Sequence, residues 1–166
     1  MIFCIIWISG YLIFSRDISI FNVLKNMGIK VGNLVNKKLI YVEKGTKAID
    51  AIKLMFKNNI GSVLILDGTK LLGIFTERDL LKSVANGEDL NQPIENLATT
   101  KDLITIKFED SLYKAAELMA KKYIRHLIVL DENDKPVGVI SIRDIISEKH
   151  LLSVLSKVEE EFAGGD

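Results

Sequence analysis

The chain has 166 residues, and its 22 basic and 22 acidic side chains give a formal net charge of zero. A balanced charge without a basic cluster argues against nucleic acid as the main partner. The single cysteine, Cys4, excludes an internal disulfide, and the two histidines have no metal-ligand spacing, so we expect no metal and a reducing, cytoplasmic environment.

Residues 1–26 differ from the rest of the chain because residues 1–14 are almost wholly apolar. Such a run is shorter than the roughly 20 apolar residues that span a bilayer, and it lacks the basic start and cleavage site of a secretory signal. Three interpretations stay open: membrane contact through residues 1–14, a helix that packs on a partner, or translation from Met27. The sequence slightly favours the last, because the pattern described next begins after Met27.

The pattern from residue 39 to residue 85 predicts the order strand, helix, strand, strand, helix. Apolar residues at helical spacing from Ala48 to Phe56 mark the first helix, and Thr76 precedes the second. The second half of the chain repeats this order. The predicted strands are 39–42, 62–66, 71–75, 103–106, 126–130 and 136–141, and the helices after the first are 77–85, 111–122 and 142–149. Apolar spacing over 151–162 predicts a further, amphipathic helix.

A nine-residue phrase occurs twice in the chain. Gly-Ile-Phe-Thr-Glu-Arg-Asp-Leu-Leu, which begins at Gly73, returns as Gly-Val-Ile-Ser-Ile-Arg-Asp-Ile-Ile from Gly138, and the offset is 138 − 73 = 65 residues. A fixed period defines the structural unit, and with two copies we expect each to complete the core of the other. The period divides the chain into a first repeat at 27–90 and a second at 91–150, with segments 1–26 and 151–166 outside them.

Each phrase carries a hydroxyl residue followed three positions later by an aspartate. The two pairs are Thr76 with Asp79 and Ser141 with Asp144. This spacing is typical of a capping box at the start of a helix. A carboxylate at the same place can also accept hydrogen bonds from a vicinal diol. Since a cap residue keeps lone pairs for a ligand, the two interpretations are compatible.

The phrase Gly-apolar-x-Ser/Thr-x-x-Asp, each time after an Ala-x-x-Leu-Met helix and an apolar strand ending in Asp, resembles the CBS-domain family over roughly residues 30–149. The resemblance implies an α/β (α+β) fold of two β-α-β-β-α repeats packed about a pseudo-two-fold axis, with two clefts between them. It also implies a regulatory module that binds AMP, ADP, ATP, S-adenosylmethionine or sometimes NAD without a metal, forms a homodimer and signals to an unidentified protein.

The resemblance implies ligand contacts for six residues. Asp79 and Asp144 would take the ribose hydroxyls, with Thr76 and Ser141 close by. Two basic residues that precede a strand of the second repeat would reach phosphates, although a solvated strand end is the open alternative. These are Arg125 and His126, and they stand where the first repeat has Gly61 and Ser62. The clefts are therefore predicted to be inequivalent, with the second repeat providing the stronger site.

Four further positions in the two phrases leave alternatives open. Gly73 and Gly138 mark either a close approach of ligand or an irregular strand. Arg78 and Arg143 form either surface ion pairs or phosphate contacts.

Two other classes of function can be set against a ligand-binding module. A protein-interaction or oligomerisation module with empty clefts would keep the same fold. An enzyme is disfavoured, because the sequence has no Ser-His-Asp order, no Gly-Lys-Ser/Thr phosphate loop and no dinucleotide-binding glycine motif. No catalytic residue is therefore predicted.

Overall fold

The computed structural model of the protein describes residues 28–35 and 39–147, together with the backbone of two short strands near the amino terminus. These strands, β1 (Trp7–Ile8) and β2 (Tyr11–Leu12), pair in antiparallel fashion. The predictions about the role of residues 1–26 and about a helix over 151–162 otherwise lie outside the described residues.

The remaining elements form two units of the same topology, as predicted. In each unit the middle strand lies parallel to the first and antiparallel to the third. The first unit contains β3 (Tyr41–Glu43), α1 (Ala48–Asn58), β4 (Ser62–Asp67), β5 (Lys70–Thr76) and α2 (Glu77–Ala85). The second contains β6 (Thr105–Lys107), α3 (Leu112–Lys122), β7 (His126–Leu130), β8 (Pro136–Ser141) and α4 (Ile142–Ile146). Among the described residues, no helix has the length and apolar character needed to cross a membrane.

The first strand of each unit begins two residues later than the sequence predicts. Leu39 and Leu103 pack into the cluster between the two sheets, while Ile40 and Ile104 pack into the cores of their own units. Their apolar character therefore reflects burial outside the hydrogen-bonded sheet.

Residues 28–35 precede the first unit in the chain but pack against the second. Val31 is fully buried in the core of the second unit. Its N–H donates to the carbonyl of Asp110 over 2.8 Å, and the N–H of Gly32 donates to that of Phe108 over 2.8 Å. A Cβ on Gly32 would lie 2.2 Å from the Phe108 ring, so a larger residue here would require that ring to move.

The segment 90–99, which precedes the second unit, packs in turn against the first. Ile94 is fully buried among the apolar side chains of the first unit, and its N–H donates to the carbonyl of Thr46 over 2.8 Å. The N–H of Ala48 donates to the carbonyl of Gln92 over 3.0 Å. The two units thus complete each other's cores reciprocally, as an approximate two-fold axis requires.

The middle strands β4 and β7 join the two units because both of their faces are covered. Val63 and Ile65 pack on the core of the first unit, whereas Leu64, which points to the other side of the strand, packs on Ile128 of β7. This contact leaves a cleft on each side, where one unit meets the other. The repeat boundaries at 27–90 and 91–150 stay predictions.

Gly73 and Gly138 lie where the neighbouring segment crosses the sheet. A Cβ on Gly73 would lie 2.7 Å from the carbonyl oxygen of Thr99, and one on Gly138 would lie 2.6 Å from Cγ1 of Val35. Both glycines also lie at irregularities in strand register. The absence of a side chain at Gly73 and Gly138 therefore allows Thr99 and Val35 to pack closely on the two sheets.

Candidate functional site

The two repeated hydroxyl–aspartate pairs form complete capping boxes at the starts of α2 and α4. The N–H and Oγ1–H of Thr76 donate to Oδ2 of Asp79 over 2.8 and 2.7 Å. In the second box the N–H and Oγ–H of Ser141 donate to Oδ2 of Asp144 over 2.7 and 2.6 Å. Each aspartate N–H donates back to the hydroxyl oxygen. The capping interpretation is therefore confirmed in both copies.

Each box leaves one carboxylate oxygen without a partner among the described residues. Both intramolecular bonds end on Oδ2, and within residues 28–35 and 39–147 no donor reaches Oδ1 of Asp79 or Asp144. No fully buried side-chain oxygen in this part of the chain lacks a partner, so neither Oδ1 atom is fully buried. An ionised carboxylate oxygen in this position can accept a hydrogen bond from a hydroxyl group of a ligand.

The first cleft contains the Thr76–Asp79 box and has a volume of about 140 Å³. Its opposite wall comes from the second unit, so the box of one unit faces the strand start of the other. Residues from both units line it: Ile74, Glu77, Arg78, Thr99, Asp102, Leu103, Ile104, Ile124, Arg125, His126 and Ile128.

The second cleft contains the Ser141–Asp144 box and has a volume of about 440 Å³. Its lining includes both apolar and polar side chains, and it also combines both units. Its other lining residues are Leu34, Val35, Leu39, Ile40, Asn59, Ile60, Gly61, Ser62, Glu77, Arg125, His126, Gly138, Val139, Ile142, Arg143 and Ser147.

The repeated topology and the paired clefts agree with a comparison of the sequence with protein families. The CBS domain profile matches the chain twice, over residues 31–86 and 94–151. The chain belongs to the CBS-domain family. A similar protein, described as an uncharacterised 17.7 kDa protein of Acidianus ambivalens, is 32% identical over 120 residues, which cover 72% of each chain.

Solved structures of other CBS proteins share the fold. A CBS domain protein from Pyrobaculum aerophilum, complexed with AMP, has a TM-score of 0.70 and 28% identity, covering 78% of this chain and 99% of that one. The CBS domain pair of protein MJ0100, in complex with 5′-methylthioadenosine and S-adenosyl-L-methionine, has a TM-score of 0.64 and 27% identity, covering 70% and 92%. A relative named as an enzyme, inosine-5′-monophosphate dehydrogenase of Aquifex aeolicus, is matched over only 24% of its length.

In this CBS pair the basic residues Arg125 and His126 line both clefts, so they do not by themselves favour the second site. His126 packs over Gly61, where an added Cβ would lie 3.1 Å from Nε2. Burial lowers the pKa of His126, and the charge of Glu77 only partly opposes this shift. The imidazole is therefore neutral at pH 7, and Arg125 is the cation of the pair.

Glu77 is a further cleft residue that sequence reasoning missed. It lines both clefts, and its Oε2 lies 3.9 Å from Nη2 of Arg125. Its counterpart in the second phrase is Ile142. This replacement of an acid by an apolar residue, within otherwise matched phrases, was the signal that could have identified Glu77.

The two arginines of the phrase have different roles. Nη1 of Arg78 donates to the carbonyl of Tyr123, the last residue of the turn that ends α3, over 3.1 Å. Arg143 forms no side-chain hydrogen bond or ion pair with any described residue, and it lines the second cleft. Arg78 therefore ties the two units together, while Arg143 makes no such contact within the described part of the chain.

Proposed function

We propose that this CBS pair is a regulatory module that binds an adenosine-containing ligand between its two units. The observation that carries the proposal is the open Oδ1 of each capping-box aspartate at a cleft with an apolar wall. The complexes of similar proteins with AMP, 5′-methylthioadenosine and S-adenosyl-L-methionine support the choice of ligand class.

In the proposed mode of binding, the ribose hydroxyls donate to Asp79 or Asp144, beside Thr76 or Ser141. The adenine ring packs against the apolar wall, for which the second cleft offers Ile40, Ile60 and Val139 among other side chains. Arg125 and His126 lie between the clefts, where Arg125 can approach a phosphate from either side. No catalytic step and no metal are part of the proposal.

The proposed output is a change in how the two units sit against each other. Both clefts are built from both units, so a ligand that favours one relative orientation shifts the population toward it. A regulated protein or a second copy of the chain in the cytoplasm would respond to this shift. Phe56 on α1 and Leu81 on α2 are 89% and 71% exposed, and apolar side chains of this kind suit such a contact.

Calorimetry and thermal unfolding of the full chain test the proposal. AMP, ADP, ATP, S-adenosylmethionine and 5′-methylthioadenosine are titrated separately. We expect at least one of them to release or absorb heat and to raise the melting temperature as its concentration rises. A folded protein that responds to none of them would instead support the interaction module.

A further inference from the structure

The second cleft differs from the first in volume and in the contacts of the arginine that its own phrase provides, Arg143 in place of Arg78. Its volume of about 440 Å³ lies within the range of roughly 300–1,000 Å³ that is usual for small-molecule sites. The first cleft, at about 140 Å³, lies below that range.

Arg78, which lines the first cleft but not the second, is already engaged by the protein. Arg78 donates to the carbonyl of Tyr123, and Arg125 lies next to Glu77. Asp102 adds another carboxylate to the same cleft. A phosphate entering here would have to displace existing contacts and would meet nearby acids.

The second cleft offers a cation that no described residue engages. Arg143 lines this cleft next to Asp144, and Ile142 stands where the first phrase has Glu77. Once Asp144 holds the ribose, Glu77 is the only other carboxylate that residues 28–35 and 39–147 contribute to the second cleft, and it already faces Arg125. The guanidinium of Arg143 is therefore free to neutralise one anionic group of a ligand.

We propose that the second cleft is the nucleotide site of this chain and that Arg143 selects a 5′-phosphorylated adenosine there; this rests on the proposed function. With the ribose on Asp144, the 5′ substituent lies within reach of the long side chain of the adjacent residue. A phosphate gains a charge-assisted, bidentate contact with the guanidinium. A sulfonium at the same place is repelled by Arg143, and a neutral thioether or hydroxyl gains no such contact.

Calorimetry with AMP and adenosine on the full chain tests the selection, with S-adenosylmethionine as a third probe. We expect wild-type protein to bind AMP about tenfold or more tightly than adenosine, the effect of one hydrogen-bonded charge pair. S-adenosylmethionine should bind more weakly than AMP. The substitution Arg143→Gln should bring AMP down to the affinity of adenosine and leave adenosine itself unchanged.

Arg78→Gln is the matched control, because it removes the arginine at the same position of the other phrase. It should keep the preference for AMP over adenosine and lower the melting temperature slightly, since the bond to Tyr123 is lost. Equal binding of AMP and adenosine by the wild type would overturn the selection by phosphate. Loss of the preference in Arg78→Gln but not in Arg143→Gln would assign the nucleotide to the first cleft. In either of these two outcomes the protein still binds adenosine compounds. If no adenosine compound binds, the proposed function itself is refuted.

Discussion

The two capping boxes are nearly identical, whereas the clefts beside them are not. In both boxes the hydroxyl residue donates twice to one aspartate oxygen, with distances that differ by 0.1 Å. The neighbouring positions diverge, since Glu77 corresponds to Ile142, and Arg78 is held by a hydrogen bond to Tyr123 while no described residue holds Arg143. The residues of the capping boxes therefore start a helix in both units, whereas the positions beside them can adapt each cleft to its own ligand.

The largest effect should come from the repeated glycines. We expect Gly73→Ala to lower the free energy of unfolding by about 3 kcal/mol, near the upper end for overpacking, because the new Cβ meets the backbone oxygen of Thr99. That oxygen also accepts the Ile74 N–H, so it cannot move without loss of a hydrogen bond. Gly138→Ala should cost about 1 kcal/mol, since it meets a side-chain methyl of Val35. Urea unfolding measures both, and equal losses would show that the two crossings are equally rigid.

A second comparison replaces the aspartates one at a time. Asp144→Asn should weaken AMP binding by about 1–3 kcal/mol, the cost of a lost charged hydrogen bond. Asp79→Asn should change it little if the second cleft is the nucleotide site. In both variants the loss of stability should stay under about 1 kcal/mol, because the amide keeps one acceptor for the cap. Calorimetry together with melting curves distinguishes the effects, and the opposite order of affinities would place the site in the first cleft.

A smaller effect is expected at the acid shared by the two clefts. Glu77→Gln removes the negative charge that faces Arg125 and leaves this guanidinium free to approach a phosphate. Because both partners are well exposed, we expect AMP to bind only about twofold more tightly, as for a surface ion pair. Titration at low and high salt measures the change. Weaker binding in this variant would mean that Glu77 itself contacts the ligand.

The smallest effect concerns pH. Burial lowers the pKa of His126 in the folded state below its ordinary value of about 6.5. The unfolded chain therefore binds the proton more readily, so the stability from neutral His126 is present above pH 6.5 and is lost as the pH falls through the folded pKa. His126→Ser, which installs the residue of the first repeat, should flatten this loss. Unfolding free energies at pH 7.5 and pH 5.5 test it, and parallel pH profiles for the two proteins would refute it.

The order of the elements and both capping boxes follow from local sequence. Thr76 with Asp79, and Ser141 with Asp144, lie within one helical turn, so their hydrogen bonds are fixed by spacing alone. The true starts of β3 and β6 do not follow from local sequence, because Leu39 and Leu103 are partly buried in the cluster between the two sheets and not by pairing in a sheet. A run of apolar residues indicates that the side chains are buried, but it does not indicate which part of the structure buries them.

The sequence also could not predict that each capping box faces a strand of the other unit. It depends on how the two units are docked, which involves contacts between residues far apart in the sequence, such as Leu64 and Ile128. The sequence assigned Arg125 to the second repeat and hence to the second site. In the structure this residue lies between the clefts, so a preference for the second cleft must rest on its volume and on Arg143.

The exchange of residues 28–35 and 90–99 has a consequence for any half-length version of the chain. A fragment ending at residue 90 would contain the helices and strands of the first unit but would lack Ile94, which fills its core. Its own leading segment would carry Val31 with no second unit to receive it. Two identical fragments could each place this segment in the core of the other. The full chain thus corresponds to two subunits joined by a peptide tether, in which the segment that precedes each subunit fills part of the core of the other.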